Sequence, residues 1–269
     1  MPFTISHAAV VLPFSRLLAR WRLLSAVVIG AMVPDFGLFF PWHMERVETH
    51  SVMGLLTFCL PVGVACYWVF QLLIKTPVVE LLPESAYARW RPYSSPAAIA
   101  NARQWLLAAC GVLAGAVSHL VWDGFTHENG HGVRMIPWLE EPIVEIGSHH
   151  LVAFRLLQDG SSLVGLFIVI ALVWYGLRPG HEQAVTNRSI PATERRQWVL
   201  IYVLTAVGLS AAWLLWARSG EFAGHSVKSI ATGIAVAALR GLAMGLLCTS
   251  LCLDWRLRAL RLPEARSSP

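Results

Sequence analysis

Five stretches of this chain, residues 53–74, 104–122, 163–177, 198–217 and 230–253, are apolar over lengths near the roughly 20 residues a helix needs to cross a bilayer. In hydrocarbon every backbone N–H and C=O must be satisfied internally, and for runs of this kind the helix does that. The composition agrees: 56% of residues are hydrophobic and 14% charged, where an average soluble domain carries about 25%. The expected fold is all-α, a multi-pass transmembrane helical bundle of five spans plus a short or re-entrant N-terminal segment at residues 23–33. That segment has the length of a signal-peptide core and follows Arg16, Arg20 and Arg22, but Pro34-Asp35 comes next and no small-x-small cleavage site. Residues 1–22, broken by Pro13, read as interfacial.

Gly111 and Gly115 in the second span have the small-xxx-small spacing that lets helices approach closely, and Gly233, Ala237, Gly241 and Gly245 repeat it in the fifth. Residues 75–103, 125–162 and 178–197 read as polar loops. No repeat or linker interrupts the chain, so residues 1–269 are expected to form one membrane domain, with a basic disordered tail from about residue 256. Lys and Arg number 12 on the side of the 75–103 loop, the 178–197 loop and the tail, against 8 on the other. Positive loops are retained in the cytoplasm, so the C-terminus is expected there, in an inner membrane. The net charge of +5 comes from Arg clusters beside apolar segments, which argues for topology and against nucleic acid. The five Cys lie inside apolar segments without the spacing of a zinc or redox pair, and are expected to be packing residues.

The polar residues of interest gather where spans end. In Ser118–His131, read SHLVWDGFTHENGH, the residues His119, Asp123 and His127 are four apart and project from one helical stripe. With Asp35 and His50 at two further helix ends on the same predicted side, imidazoles and carboxylates converge as in a helical-bundle metal site. The alternative is that these are interfacial groups capping helix ends. His127-Glu128-Asn129-Gly130-His131 also satisfies the metalloprotease string His-Glu-x-x-His, but Asn-Gly is a turn signal and that chemistry needs a helix. Arg240, in mid-span, is expected to pair with Asp123 or Asp35 or to receive an anionic substrate group. His149 and His150 read as loop residues near Glu140, Glu141 and Glu145, and His43, His131, His181 and His225 as ordinary surface or interface residues.

Pro2-Phe3-Thr4 with Ser6-His7-Ala8-Ala9, Val33-Pro34-Asp35-Phe36, Thr49-His50-Ser51, Ser118-His119 with Trp122-Asp123-Gly124-Phe125-Thr126-His127, and Leu157-Gln158 with Gly160-Ser161-Ser162 and Gly165 together resemble the bacterial membrane family named domain of unknown function 4184. The resemblance covers nearly the whole chain. It extends distantly to inner-membrane metal-dependent hydrolases that share a Ser-His near the start, a Pro-Asp and a later His-x-x-x-Asp. It implies ligand roles for His7, Asp35, His50, His119, Asp123 and His127, and His131 stands outside the family pattern. The expected function is metal-dependent hydrolysis, zinc first among the divalent ions, of a phosphoester or other ester of a lipid or envelope substrate, with Asp35 or Asp123 orienting or deprotonating the attacking water. The alternative is a non-enzymatic metal- or proton-binding protein, a transporter or a structural bundle. The metalloprotease is a third, lesser reading.

Overall fold

The computed structural model describes residues 4–20, 22–40, 44–97, 100–146, 149–178, 188–217 and 227–261. Pro2, Phe3, His43, His181, His225 and Arg266 lie outside the described residues. Five helices are long and apolar enough to cross a membrane: Val52–Leu81, Ala102–Thr126, Ala153–Leu177, Ala192–Trp216 and Ile230–Leu260. They leave Phe167, Val173, Leu200, Leu204, Val207 and Leu215 exposed, apolar surface that water would penalise and lipid does not. The chain is an all-α, multi-pass membrane protein.

The helices outrun the apolar stretches that reveal them, because hydropathy marks the hydrocarbon core while a helix continues into the interface. Residues 75–81 finish the first helix and 192–197 open the fourth. Residues 153–162, expected as loop, are the first turns of the third, where the Ser161 and Ser162 hydroxyls donate back to the Gln158 carbonyl at 3.2 and 2.6 Å. The tail expected to be disordered from residue 256 is helical as far as Arg261, with Arg256 paired to Glu194 at 3.2 Å and Arg258 to Asp254 at 2.7 Å. The connection before the third helix contains a two-stranded antiparallel hairpin, Pro142–Ile146 with His149–Val152, so His149 and His150 belong to a strand and not to a loop. The first helix carries two π turns, Leu55–Cys59 and Phe70–Ile74, each a few residues before a proline, Pro61 and Pro77. A proline ring clashes with the carbonyl four residues back and leaves it without a donor, and a widened turn absorbs both defects.

The chain divides into two compact units, Met1–Tyr67 with Ala98–Gly176, and Trp68–Ala97 with Leu177–Pro269. No linker marks the boundary, which falls inside the first long helix. In the first unit the helix Leu24–Gly30 rises only about 10 Å, too little to span a bilayer, and lies instead against the second long helix. The glycines make that approach. A Cβ on Gly115 would stand 2.2 Å from the Val27 carbonyl oxygen, and one on Gly30 2.2 Å from that of Val112. Val11, Val27 and Ala31 pack together on one side, and Val33, Phe58, Cys59 and Ala116 on another. All five thiols are free, but Cys110, Cys248 and Cys252 are exposed and not packed in the core.

In the second unit Gly241 and Gly245 bring the fifth helix onto Ala206 and Ser210 of the fourth. Ile190, Leu253 and Leu257 form its buried cluster, with Leu81 and Trp198 against them. Arg240 is here too, its guanidinium 4.0 Å above the centre of the Trp213 ring. This cation–π contact shelters a mid-span charge.

Candidate metal centre

Four short pieces of backbone deliver the polar side chains. His7 sits in the 3-10 stretch Thr4–Phe14, and Asp35 in the first turn of a second one, Val33–Phe39, where Pro34 occupies a position with no hydrogen bond to lose. His50 caps the single turn Arg46–Thr49, itself opened by a capping box between Glu45 and Glu48. Ser51 then caps the first long helix by accepting from the Gly54 N–H at 2.9 Å. Gly54 is required there, since a Cβ would come within 2.2 Å of the Glu48 carbonyl oxygen. His119 and Asp123 project from the last two turns of the second long helix, and His127 caps its C-terminus.

These groups meet. His119 and Asp123 are buried, as are His7 and Asp35, with His119 only 1% exposed. His50 Nε2 lies 3.3 Å from Asp35 Oδ1 and 3.5 Å from Asp123 Oδ2. His119 Nε2 lies 3.3 Å from Asp123 Oδ2 and 3.7 Å from Asp35 Oδ1. His7 stacks on His119 with ring centres 3.8 Å apart and brings its Nε2 to 3.8 Å from Asp123 Oδ1. Two ligand triplets result, His7–His119–Asp123 and Asp35–His50–His119, each with its donor atoms within 4.8 Å of one another.

The far nitrogens decide what the near ones can do. His119 Nδ1 stands 2.8 Å from the carbonyl of Ala31, which can only accept, so Nδ1 carries the proton. That carbonyl caps the C-terminal end of the short Leu24–Gly30 helix, which gives the segment a role in setting a tautomer. His50 Nδ1 donates at 2.8 Å to the Thr49 hydroxyl, which passes its own hydrogen to the Arg46 carbonyl at 3.3 Å. Each ring therefore offers Nε2 to the carboxylates. His50 Nε2, His119 Nε2 and Asp123 Oδ1 are buried with no hydrogen-bond partner among the described residues.

The spacings of 3.3–3.7 Å are too wide for charge-assisted hydrogen bonds, which close to about 2.7–2.9 Å. They match the edge of a tetrahedron around a zinc-sized ion, about 3.3 Å for bonds of roughly 2.0 Å. Neutral imidazole lone pairs facing carboxylate oxygens repel unless a cation or a second proton lies between them. The donor set, orphaned atoms and back-bonded rings thus fit a divalent metal such as zinc.

His127 is placed differently. Its Nε2 accepts from the Gln158 amide at 2.7 Å, while Nδ1 faces the Thr126 hydroxyl at 3.2 Å and Asp123 Oδ1 at 3.4 Å. With both nitrogens engaged, the ring steadies Asp123 and has no lone pair to offer an ion. The string 127–131 is not helical: His127 is extended, Asn129 has φ 64° and His131 starts a separate short helix. The two His of a metalloprotease motif cannot share one face there.

Residues that carry no sequence signal complete the site. Arg46 bonds to Asp123 Oδ2 and remains about one-third exposed. Burial, the stacked His119 ring and, more weakly, His127 drive the His7 pKa down to about 4 against the pull of Asp123 and Asp35, so His7 is neutral at pH 7. Burial alone would raise Asp35, but a proton that His50 can share with it, and the positive charge His119 or His50 carries when protonated, outweigh burial and hold the carboxyl below its ordinary value. Burial and Arg46 also depress His127, against the pull of Asp123.

A buried cluster of imidazoles and carboxylates at the ends of membrane-length helices defines the class, a multi-pass membrane protein with a polar centre suited to a cation. Within that class the chain belongs to the family described as Domain of unknown function (DUF4184), which matches residues 1–251. No curated protein matches it, and no solved structure does.

Proposed function

We propose that this protein is a metal-dependent hydrolase that cleaves a phosphoester or other ester of a lipid or envelope substrate. The observation that carries the reading is the convergence of His50 Nε2 and His119 Nε2 on Asp35 and Asp123 at the spacing of a coordination polyhedron. His7, His50, His119, Asp35 and Asp123 would hold the ion. A divalent cation held there supplies Lewis acidity toward water and toward the ester oxygen. Asp35, ionised at neutral pH, accepts the proton that water loses, and that proton passes to the leaving oxygen as the ester bond breaks. Arg46, beside Asp123 and partly exposed, takes the anion-binding role expected of Arg240.

The site lies just before the first span and in the last turns of the second, at the end that the Lys and Arg count assigns to the less positive side. We place it on the outer face of an inner membrane, with the C-terminus cytoplasmic. The deep burial of His119 and Asp123 also favours a second reading, a closed metal- or proton-binding centre without chemistry. Detergent-purified protein loaded with zinc, assayed on a panel of phospholipids and soluble phosphoesters with Asp35→Asn as control, separates the two. Turnover that chelation removes and Asp35→Asn lowers supports the hydrolase. Retained metal with no turnover of any ester supports the closed centre.

A further inference from the structure

His7 has a second face. A cavity of about 240 Å³ opens beside it, lined by Ser6 and Val10 of the N-terminal stretch, Trp122 of the second long helix, and Ser161, Val164 and Ile168 of the third. Gly165 forms part of its wall. A Cβ there would stand 2.7 Å from that of Ser6, so the glycine lets the N-terminal stretch lie directly on the third helix. The cavity has direction. Gln158, one turn before Ser161, touches His127 at the metal centre, and the seven steps from Ser161 to Ile168 run about 10 Å away from it along the helix. At the near end hydroxyls gather, and Trp122 Nε1 donates to Ser161 Oγ at 3.3 Å. Farther along the helix the lining is Val164 and Ile168, with Val10 contributed by the N-terminal stretch, all three exposed, and the third helix is one of those long enough to cross the bilayer.

We propose that this groove holds one acyl chain of a membrane lipid, with the lipid's polar head at the His7 end. With the third helix as a membrane span, the exposed Val164 and Ile168 face lipid, so a chain enters without leaving apolar surroundings. The volume falls below the roughly 300–1,000 Å³ of pockets that enclose drug-sized ligands, and below the roughly 400 Å³ that one turn of a helix about 10 Å across would fill. A single chain matches it. That the bound lipid is also the substrate rests on the hydrolase reading; occupancy of the groove does not.

The test uses the full chain in phosphatidylethanolamine–phosphatidylglycerol vesicles doped with phosphatidic acid that carries a diazirine near the end of one acyl chain. After photolysis, labelled positions are read by peptide mass spectrometry. Labelling of Ile168 and Val10 is expected to exceed that of Phe167 by on the order of tenfold. Phe167 is the sharper control because it is 72% exposed on the same helix yet does not line the groove. Ile168→Trp, and independently Val164→Trp, should remove most of the Val10 label while metal content stays that of the wild type. Equal labelling of Phe167 and Ile168, or a Val10 label indifferent to both substitutions, overturns the proposal. Groove labelling in a protein that hydrolyses no ester leaves the groove standing and removes the hydrolase reading alone.

Discussion

Each unit of the molecule buries a charged cluster, and the two are built on opposite principles. In the second unit Arg188 donates to the carbonyls of Glu80 and Leu82, the latter at 2.5 Å, reaches Glu84 at 3.1 Å and lies 4.0 Å above the Tyr87 ring. Its one open donor, Nε, faces Glu80 Oε2 at 3.9 Å, opposite charge to opposite charge. The guanidinium satisfies the last carbonyls of the first long helix, and the two buried atoms left without a hydrogen bond, Arg188 Nε and Glu80 Oε2, are of opposite charge and face each other. In the first unit the open atoms are His50 Nε2, His119 Nε2 and Asp123 Oδ1, ring nitrogens and a carboxylate oxygen with no hydrogen bond made. Opposite charges that face each other hold a fold together, whereas ring nitrogens and carboxylates held 3.3–3.7 Å apart leave the spacing of a cation's ligands.

The contrast can be broken most forcefully at Arg188. Arg188→Ala strands Glu80 and two helix-end carbonyls, and breaking a buried pair costs about 3–5 kcal/mol. Thermal unfolding in detergent should show that loss with metal content unchanged; lost metal at unchanged stability would erase the distinction. A somewhat smaller effect follows from acid. His7 refuses in the folded, metal-free protein a proton that the unfolded chain accepts, so stability falls as pH drops from 6.5 toward 4, by on the order of 3 kcal/mol. His127 adds to that loss, and the stabilisation from Asp35 disappears at still lower pH. A melting temperature flat between pH 7 and 4 would contradict the buried neutral ring. The smallest change expected is at Thr49. Thr49→Val removes the partner of His50 Nδ1 but leaves every ligand, and metal affinity should weaken by about 10- to 100-fold in a competition titration. Unchanged affinity would mean that His50 is not oriented from behind.

The same contrast explains what could be read in the sequence. Membrane-length apolar runs announce themselves by composition, and small residues four apart foretell close packing, as Gly111 and Gly115 do against Ala26 and Val27. Asp35, His50, His119 and Asp123 stand out in the sequence because polar groups at the ends of apolar segments are costly, whereas His7 is marked only by the family resemblance. The supporting shell does not stand out. Thr49 and Gln158 fall inside the motifs that carry the family resemblance, but their roles, like that of the Ala31 carbonyl, come from geometry that neither periodicity nor residue type encodes, and Arg46 looks like any charged residue in a short helix. Residues 153–162 were misread because Arg155, Asp159, Gly160 and paired serines resemble a loop, yet above the hydrocarbon a helix tolerates them. The cost of a mid-span charge marks Arg240 in the sequence, but the Trp213 ring over which its guanidinium lies carries no signal that spacing could reveal.

The central claim is that the His–Asp cluster of the first unit binds a cation. Metal analysis of the detergent-purified protein beside His119→Ala and Asp123→Ala, each checked for folding by its melting transition, tests it directly. Stoichiometric divalent metal in the wild type and little in either folded variant is the expected result. A wild type that takes up none on loading, or folded variants that retain it in full, would contradict the account.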